Sequence, residues 1–156
     1  VLAACQTMSK PDSAKAVLMP KSGAQVAGSV SFTQTREGVQ VIADVRGLTP
    51  NAEHGFHVHE SGDCSAPDAM SAGGHFNPSG APHGPSSGPH HVGDMPNLRA
   101  DVSGRASYRA LMAGVSLEGP QGILQRAVVI HRDPDDYRSQ PAGNSGPRIA
   151  CGVIQR

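Results

Sequence analysis

Tryptophan is absent from this chain, and aromatic residues of any kind are scarce, with three Phe and two Tyr among 156 residues. Its core must therefore be built on Val, Ile, Leu and Ala. Net charge is also lacking, because 13 Lys and Arg balance 13 Asp and Glu. That balance excludes both the basic field that nucleic acid requires and the acidic runs of solvating tails. From residue 5 onward there is no apolar run of membrane-spanning length. No stretch carries a convincing helical period. Glycine (19) and proline (13) are what the chain has in plenty. They favour many short strands joined by turns over a helical bundle. The length fits one domain, with a real core.

Period-two patterns support that reading. Lys15 to Met19 is one candidate strand. From Ala27 to Thr35, Val30, Phe32 and Gln34 alternate with Ser29, Ser31 and Thr33. After Gly38, Val39 to Val45 alternates again. Such runs, bounded by Gly, read as half-buried antiparallel strands. The segment around Asp101 and Gly104 reads as a hairpin turn between Leu98-Arg99-Ala100 and Arg105 to Tyr108. Arg126 to His131 and Ile149 to Ile154 add two short strands. Two long segments, Cys64 to Met95 and Arg132 to Pro147, break the pattern, and loops of this length are usually functional or disordered.

Three cysteines, Cys5, Cys64 and Cys151, are an odd number, so one thiol needs its own explanation. Leu2-Ala3-Ala4-Cys5 has the form of a bacterial lipobox. Val1-Leu2 then reads as the tail of a signal peptide's apolar region, and Cys5 as the lipid-bearing residue. Gln6 to Ala14 is a polar tether. Residues 1–14 are thus expected to be signal remnant, lipobox and tether, and residues 15–156 the folded domain. The membrane is expected to be reached only through a lipid on Cys5, from a periplasmic or other extracytoplasmic site.

All eight histidines lie from His54 to His131, after a long stretch with none, and most gather in or beside the first long loop. On a strand, His57 and His59 face one side while Phe56 and Val58 face the core. His54 shares the parity of Phe56 and reads as structural. Paired imidazoles on a rigid strand suit copper or zinc. His75, His83 and the stretch His90-His91-Val92-Gly93-Asp94 add three imidazoles and a carboxylate, a reasonable tetrahedral zinc set with either His90 or His91 in it. His131 closes an apolar run, as a strand-end ligand would.

These stretches, together with Gly62-Asp63-Cys64, Ala72 to Pro78, His83-Gly84-Pro85, Asp135-Asp136 and Gly143 to Ile154, resemble the copper,zinc superoxide dismutase family over nearly all of residues 13–154. The resemblance implies an all-β fold, a Greek-key antiparallel barrel or sandwich of immunoglobulin-like architecture with two long functional loops. It implies one copper held by His57, His59, His75 and His131. It implies one zinc held by His75, His83, His91 and Asp94, with His75 bridging the two and His91 preferred over His90. Asp135 matches a carboxylate that links the ligands of the two metals, and Arg148 an arginine beside copper. Cys64 and Cys151 match an intrachain disulfide, which leaves Cys5 for lipid.

The implied reaction is dismutation of the superoxide anion to oxygen and hydrogen peroxide, with Arg148 docking the anion and His75 as the other catalytic residue. The alternative is a non-catalytic copper- and zinc-binding lipoprotein on the same fold. A homodimer is left open. One departure from the family stands out. The lysine position of its eukaryotic members aligns with Pro141, and no acidic residue lies between Tyr137 and Arg148. Arg132 and Arg138 are the nearest cations that could guide substrate instead.

Overall fold

The computed structural model describes residues 9–156. Nine strands make up its regular structure: β1 Ser13–Pro20, β2 Ala27–Gln34, β3 Gly38–Arg46, β4 Glu53–His54, β5 Phe56–His59, β6 Leu98–Arg99, β7 Ala106–Ala113, β8 Ala127–His131 and β9 Arg148–Val153. Seven form one antiparallel sheet in the order β5-β8-β9-β1-β2-β3-β7, curled into a half-barrel, and β4 pairs with β6. β1, β2 and β3 are a simple meander. The chain then crosses to the far edge for β5, returns to β3 as β7, and ends with β8 and β9 between β5 and β1. This connectivity is consistent with a Greek-key sandwich. Only one turn of 3-10 helix, Met70–Ala72, interrupts the strands and loops among the described residues.

The alternation read from sequence is the alternation of burial. Ala14, Ala16 and Leu18 of β1, Val30 and Phe32 of β2, and Val39, Val41, Ala43 and Val45 of β3 all enter one core. β5 does not alternate, since all four of its residues are buried. Phe56 and Val58 face the core as expected, while the opposite face, with His57 and His59, is roofed by the long loops.

Two expectations need correction. β1 starts at Ser13, and Ala14 is buried, so the tether ends earlier than Ala14. Asp12 is already tied to the C-terminal Arg156 by two 3.0 Å hydrogen bonds. The turn at Asp101–Gly104 exists, with Gly104 N–H donating to Asp101 O at 3.1 Å. Its flanks do not form a simple hairpin, however. Leu98 pairs with His54, whereas β7 pairs with β3 and runs on to Ala113. A longer partner strand offers more ladder bonds than a two-residue stub, so β7 follows β3.

The Cys64–Cys151 disulfide pins the first long loop to β9 across 87 residues. Ala69, Ala72, Ala127 and Val129 pack around it as a small second core. The lipobox Leu2-Ala3-Ala4-Cys5 lies outside the described residues.

Candidate metal centre

Two strands and the first long loop bring the site histidines together, on the face of β5 opposite the core. β5 supplies His57 and His59, and β8 supplies His131 at a register shift opposite Arg148 of β9. The first loop returns to β5 twice, through bridges from His59 to His75 and from His57 to Asp94. Gly93 is essential for that return, because a Cβ there would strike the carbonyl of Val58. Two four-residue groups result, His57/His59/His75/His131 and His75/His83/His91/Asp94. In each, one candidate ligand atom per residue lies within 4.8 Å of all the others, and His75 belongs to both.

Hydrogen bonds to the outer ring nitrogens decide which inner nitrogens keep lone pairs. His57 Nε2–H donates to Asp135 Oδ2 at 2.9 Å, and its Nδ1 is buried without a partner. His59 Nδ1–H donates to the carbonyl of Gly73 at 2.8 Å, and His131 Nδ1–H to that of Gly146 at 3.1 Å. Both rings then turn Nε2 inward, where the two atoms face each other at 3.3 Å. Two imidazole lone pairs at that distance repel unless a cation sits between them. His75 Nε2 is likewise buried and unpartnered. This is an all-imidazole donor set, which suits copper.

The second group is a mixed nitrogen and oxygen set. His75 Nδ1 lies 2.9 Å from Asp94 Oδ1 and 3.2 Å from His91 Nδ1. His83 Nδ1 lies 3.0 Å from Asp94 Oδ2 but off the hydrogen-bonding axis, so it is a charge contact only. Its Nε2–H donates to Asp135 Oδ1 at 2.8 Å. Asp94 Oδ2 is held in place by the backbone N–H of His91 at 2.8 Å. Three imidazoles and one carboxylate in this arrangement suit tetrahedral zinc.

Electrostatics follow the same division. Burial lowers the pKa of His57 to about 4, against the opposing effect of its hydrogen bond to Asp135. Burial likewise takes His131 to about 3, helped by the neighbouring His57, and holds His59 well below the ordinary imidazole value. These rings are neutral at physiological pH, the form that binds metal. His83 is the exception. Burial would lower it, but the hydrogen bond to Asp135 and the adjacent Asp94 carboxylate outweigh that and raise it to about 9. Asp94 and Asp135 themselves stay far below the usual carboxylate range, because imidazole hydrogen bonds overcome their burial.

Arg148 lies beside the first group. It shares a pocket of about 320 Å³ with His131, Met70, Asn144 and the Gln140–Ala142 segment. One guanidinium nitrogen donates to the carbonyl of Ala69 at 3.0 Å, which aims the head group across the pocket. Partial burial lowers its pKa, and an arginine guanidinium stays charged throughout the physiological range.

Of the other predicted residues, Asp135 joins the two groups, and His54 is buried behind the site, with Nδ1–H donating to His131 O at 2.9 Å. His91 is in the cluster and His90 is outside it, bonded to Gly88 O at 2.7 Å. Arg132 is exposed and ion-paired to Asp133 at 3.1 Å, so its charge is largely compensated. Neither Arg132 nor Arg138 lines the pocket.

Several supports escape a reading by sequence. Asn97 clasps Asp135, accepting its N–H at 2.9 Å and donating to its carbonyl at 3.0 Å. At Gly143, with φ of +71°, a Cβ would collide with the Asp135 carboxylate. A glycine before the arginine frame is the only signal that could have pointed there. The Gly73 and Gly146 carbonyls carry no side-chain signal at all.

Comparison with known proteins agrees with this architecture. Residues 26–154 match the family model described as "Copper/zinc superoxide dismutase (SODC)". "Superoxide dismutase [Cu-Zn] 2" of Aquifex aeolicus is 46% identical over 138 residues, covering 84% of this chain and 80% of the relative. "Superoxide dismutase [Cu-Zn]" of Cordyceps militaris is 42% identical over 149 residues, covering 90% and 96%. Among solved structures, the clock protein EA4 superposes with a TM-score of 0.84 at 41% identity, covering 94% of this chain and 96% of that one. A SOD-like protein from Bacillus subtilis superposes with a TM-score of 0.79 at 37% identity, covering 88% and 95%. A family match across most of the length, on a fold that gathers these two ligand-type clusters around one shared histidine, means that this chain belongs to the copper/zinc superoxide dismutase family.

Proposed function

We propose that this chain dismutes superoxide at a copper held by His57, His59, His75 and His131, next to a zinc held by His75, His83, His91 and Asp94. The observation that carries this reading is the inward pair of Nε2 atoms on His59 and His131, 3.3 Å apart, beside the orphaned Nδ1 of His57 and Nε2 of His75. Copper in that set supplies the one-electron redox chemistry that zinc lacks. The protein does the rest. Arg148 binds the small anion and stabilises charge that develops on it. His75 offers one ring nitrogen to each cluster, and its Nε2 is the atom able to hold a proton between the two halves of the reaction. Asp135 holds the His57 and His83 rings from behind. A non-catalytic metal-binding lipoprotein would have no need of an arginine aimed into the pocket beside His131.

The direct test is superoxide dismutation together with elemental analysis on protein loaded with both metals. Activity at about one copper and one zinc per chain is expected. His131→Ala is expected to lose copper and activity while keeping zinc and the fold. Full activity in that variant would remove His131 from the ligand set.

Anchoring is part of the same reading. The Leu2-Ala3-Ala4-Cys5 motif supports a diacylglyceryl group on Cys5, and the Cys64–Cys151 disulfide supports an oxidising, extracytoplasmic compartment. Intact mass of protein from the source cell tests it, with a lipid-modified Cys5 expected as the first residue. An unmodified thiol there would exclude the anchor.

A further inference from the structure

Arg126 stands just before β8, outside every ligand cluster, yet it meets two segments that carry candidate ligands. Its guanidinium carbon lies 3.9 Å from the centroid of the Phe76 ring, and Phe76 follows His75 directly. In the plane of the same group, one nitrogen donates to Glu60 O at 2.8 Å and another to Gly122 O at 3.1 Å. Glu60 follows His59 at the end of β5. Its carboxylate accepts the N–H of Gly74 at 3.2 Å, and its own N–H donates to Gly74 O at 2.9 Å. The loop is thus held on both sides of His75.

The buried Phe76 is the hub of this arrangement. Its N–H donates to Val58 O at 2.8 Å, and its carbonyl accepts Gly93 N–H at 3.0 Å, one residue before Asp94. Any shift of Phe76 therefore moves His75 relative to both β5 and the turn that carries His91 and Asp94. Only an arginine can stack flat on a ring while donating in-plane to two carbonyls, because its donors are fixed in a planar fork. A lysine supplies the charge without that plane.

We propose that Arg126 is a positioning residue for the shared His75, acting through the Phe76 ring. This rests on the metal-centre reading above. Groups that orient a ligand from outside the coordination sphere typically change metal affinity by about 10–100-fold when removed. The test uses the full chain loaded with both metals, in the parent, R126K, R126Q, F76L and the R126Q/F76L double variant. Zinc affinity is read by chelator competition, and the copper site by the hyperfine splitting of its paramagnetic resonance spectrum.

R126K and R126Q are each expected to weaken zinc by on the order of tenfold and to shift the copper spectrum. R126Q is expected to add little in the F76L background, because both changes break one chain of contacts. Wild-type zinc affinity with an unchanged copper spectrum in both Arg126 variants would overturn the proposal. So would full additivity of R126Q and F76L, which would show two independent routes. A parent chain that bound neither metal would overturn the metal-centre reading itself, and this inference with it.

Discussion

The side chain of Gln140 closes a two-bond ring with the backbone of His83. Its Oε1 accepts the His83 N–H at 2.8 Å, and its Nε2–H donates to the His83 carbonyl, also at 2.8 Å. Gln140 belongs to the loop that lines the Arg148 pocket, whereas His83 belongs to the zinc-candidate loop 57 residues earlier. One amide therefore couples the wall of the pocket to the zinc-candidate cluster.

Gln140→Ala removes both bonds at once. Two hydrogen bonds of about 1 kcal/mol each correspond to at most about a 30-fold loss of zinc affinity, while the strand core is left intact. Chelator competition on the loaded protein measures this. Unchanged zinc affinity would mean that the loops hold each other by other contacts.

Asp135→Asn is nearly isosteric but electronically wrong. The carboxylate now accepts from His57 Nε2 and His83 Nε2 simultaneously, at 2.9 and 2.8 Å. An amide can accept only one of these and must point its own N–H groups at the other. Copper and zinc affinity are both expected to fall by about 10–100-fold, as for other groups that orient metal ligands. Equilibrium dialysis against each metal separately tests this, and loss confined to one metal would show which ring depends on the carboxylate.

Arg148→Ala is expected to keep both metals and lose activity by on the order of 10–100-fold, since a hydrogen bond to a charged group contributes about 1.5–3 kcal/mol. Arg148→Lys should recover part of the loss, since charge is retained but the bond to the Ala69 carbonyl is not assured. Dismutation rates at saturating metal check it. An unchanged rate in Arg148→Ala would place anion docking elsewhere.

Loss of the disulfide by Cys64→Ser should act on stability before activity. Closing a loop of 87 residues stabilises by about 4–5 kcal/mol in the chain-entropy model. The bridge also sits among Ala69, Ala72, Ala127 and Val129, and Ala69 carries the carbonyl that aims Arg148. Denaturant unfolding of the variant is expected to show a fall of that order. Unaltered stability would mean that this small core holds the loop unaided.

By itself the sequence determined the strand pattern and the cast of the site. Alternation placed Val30, Phe32 and Val39 to Val45 in a core, and parity put His57 and His59 on the face opposite Phe56 and Val58. Those are local properties, because side-chain direction in a strand repeats every two residues. The family resemblance supplied the pairing of Cys64 with Cys151, which the structure contains. Tertiary structure decided what each residue does once it arrives. It ran β7 along β3 and left the Leu98–Arg99 stub to His54 and Glu53. It also turned His91 inward and left His90 on the Gly88 carbonyl. Above all it chose the imidazole tautomers, through Asp135 and the carbonyls of Gly73 and Gly146. A backbone carbonyl looks the same in every residue, so its role as an acceptor appears only when the chain has folded and a ring stands within reach.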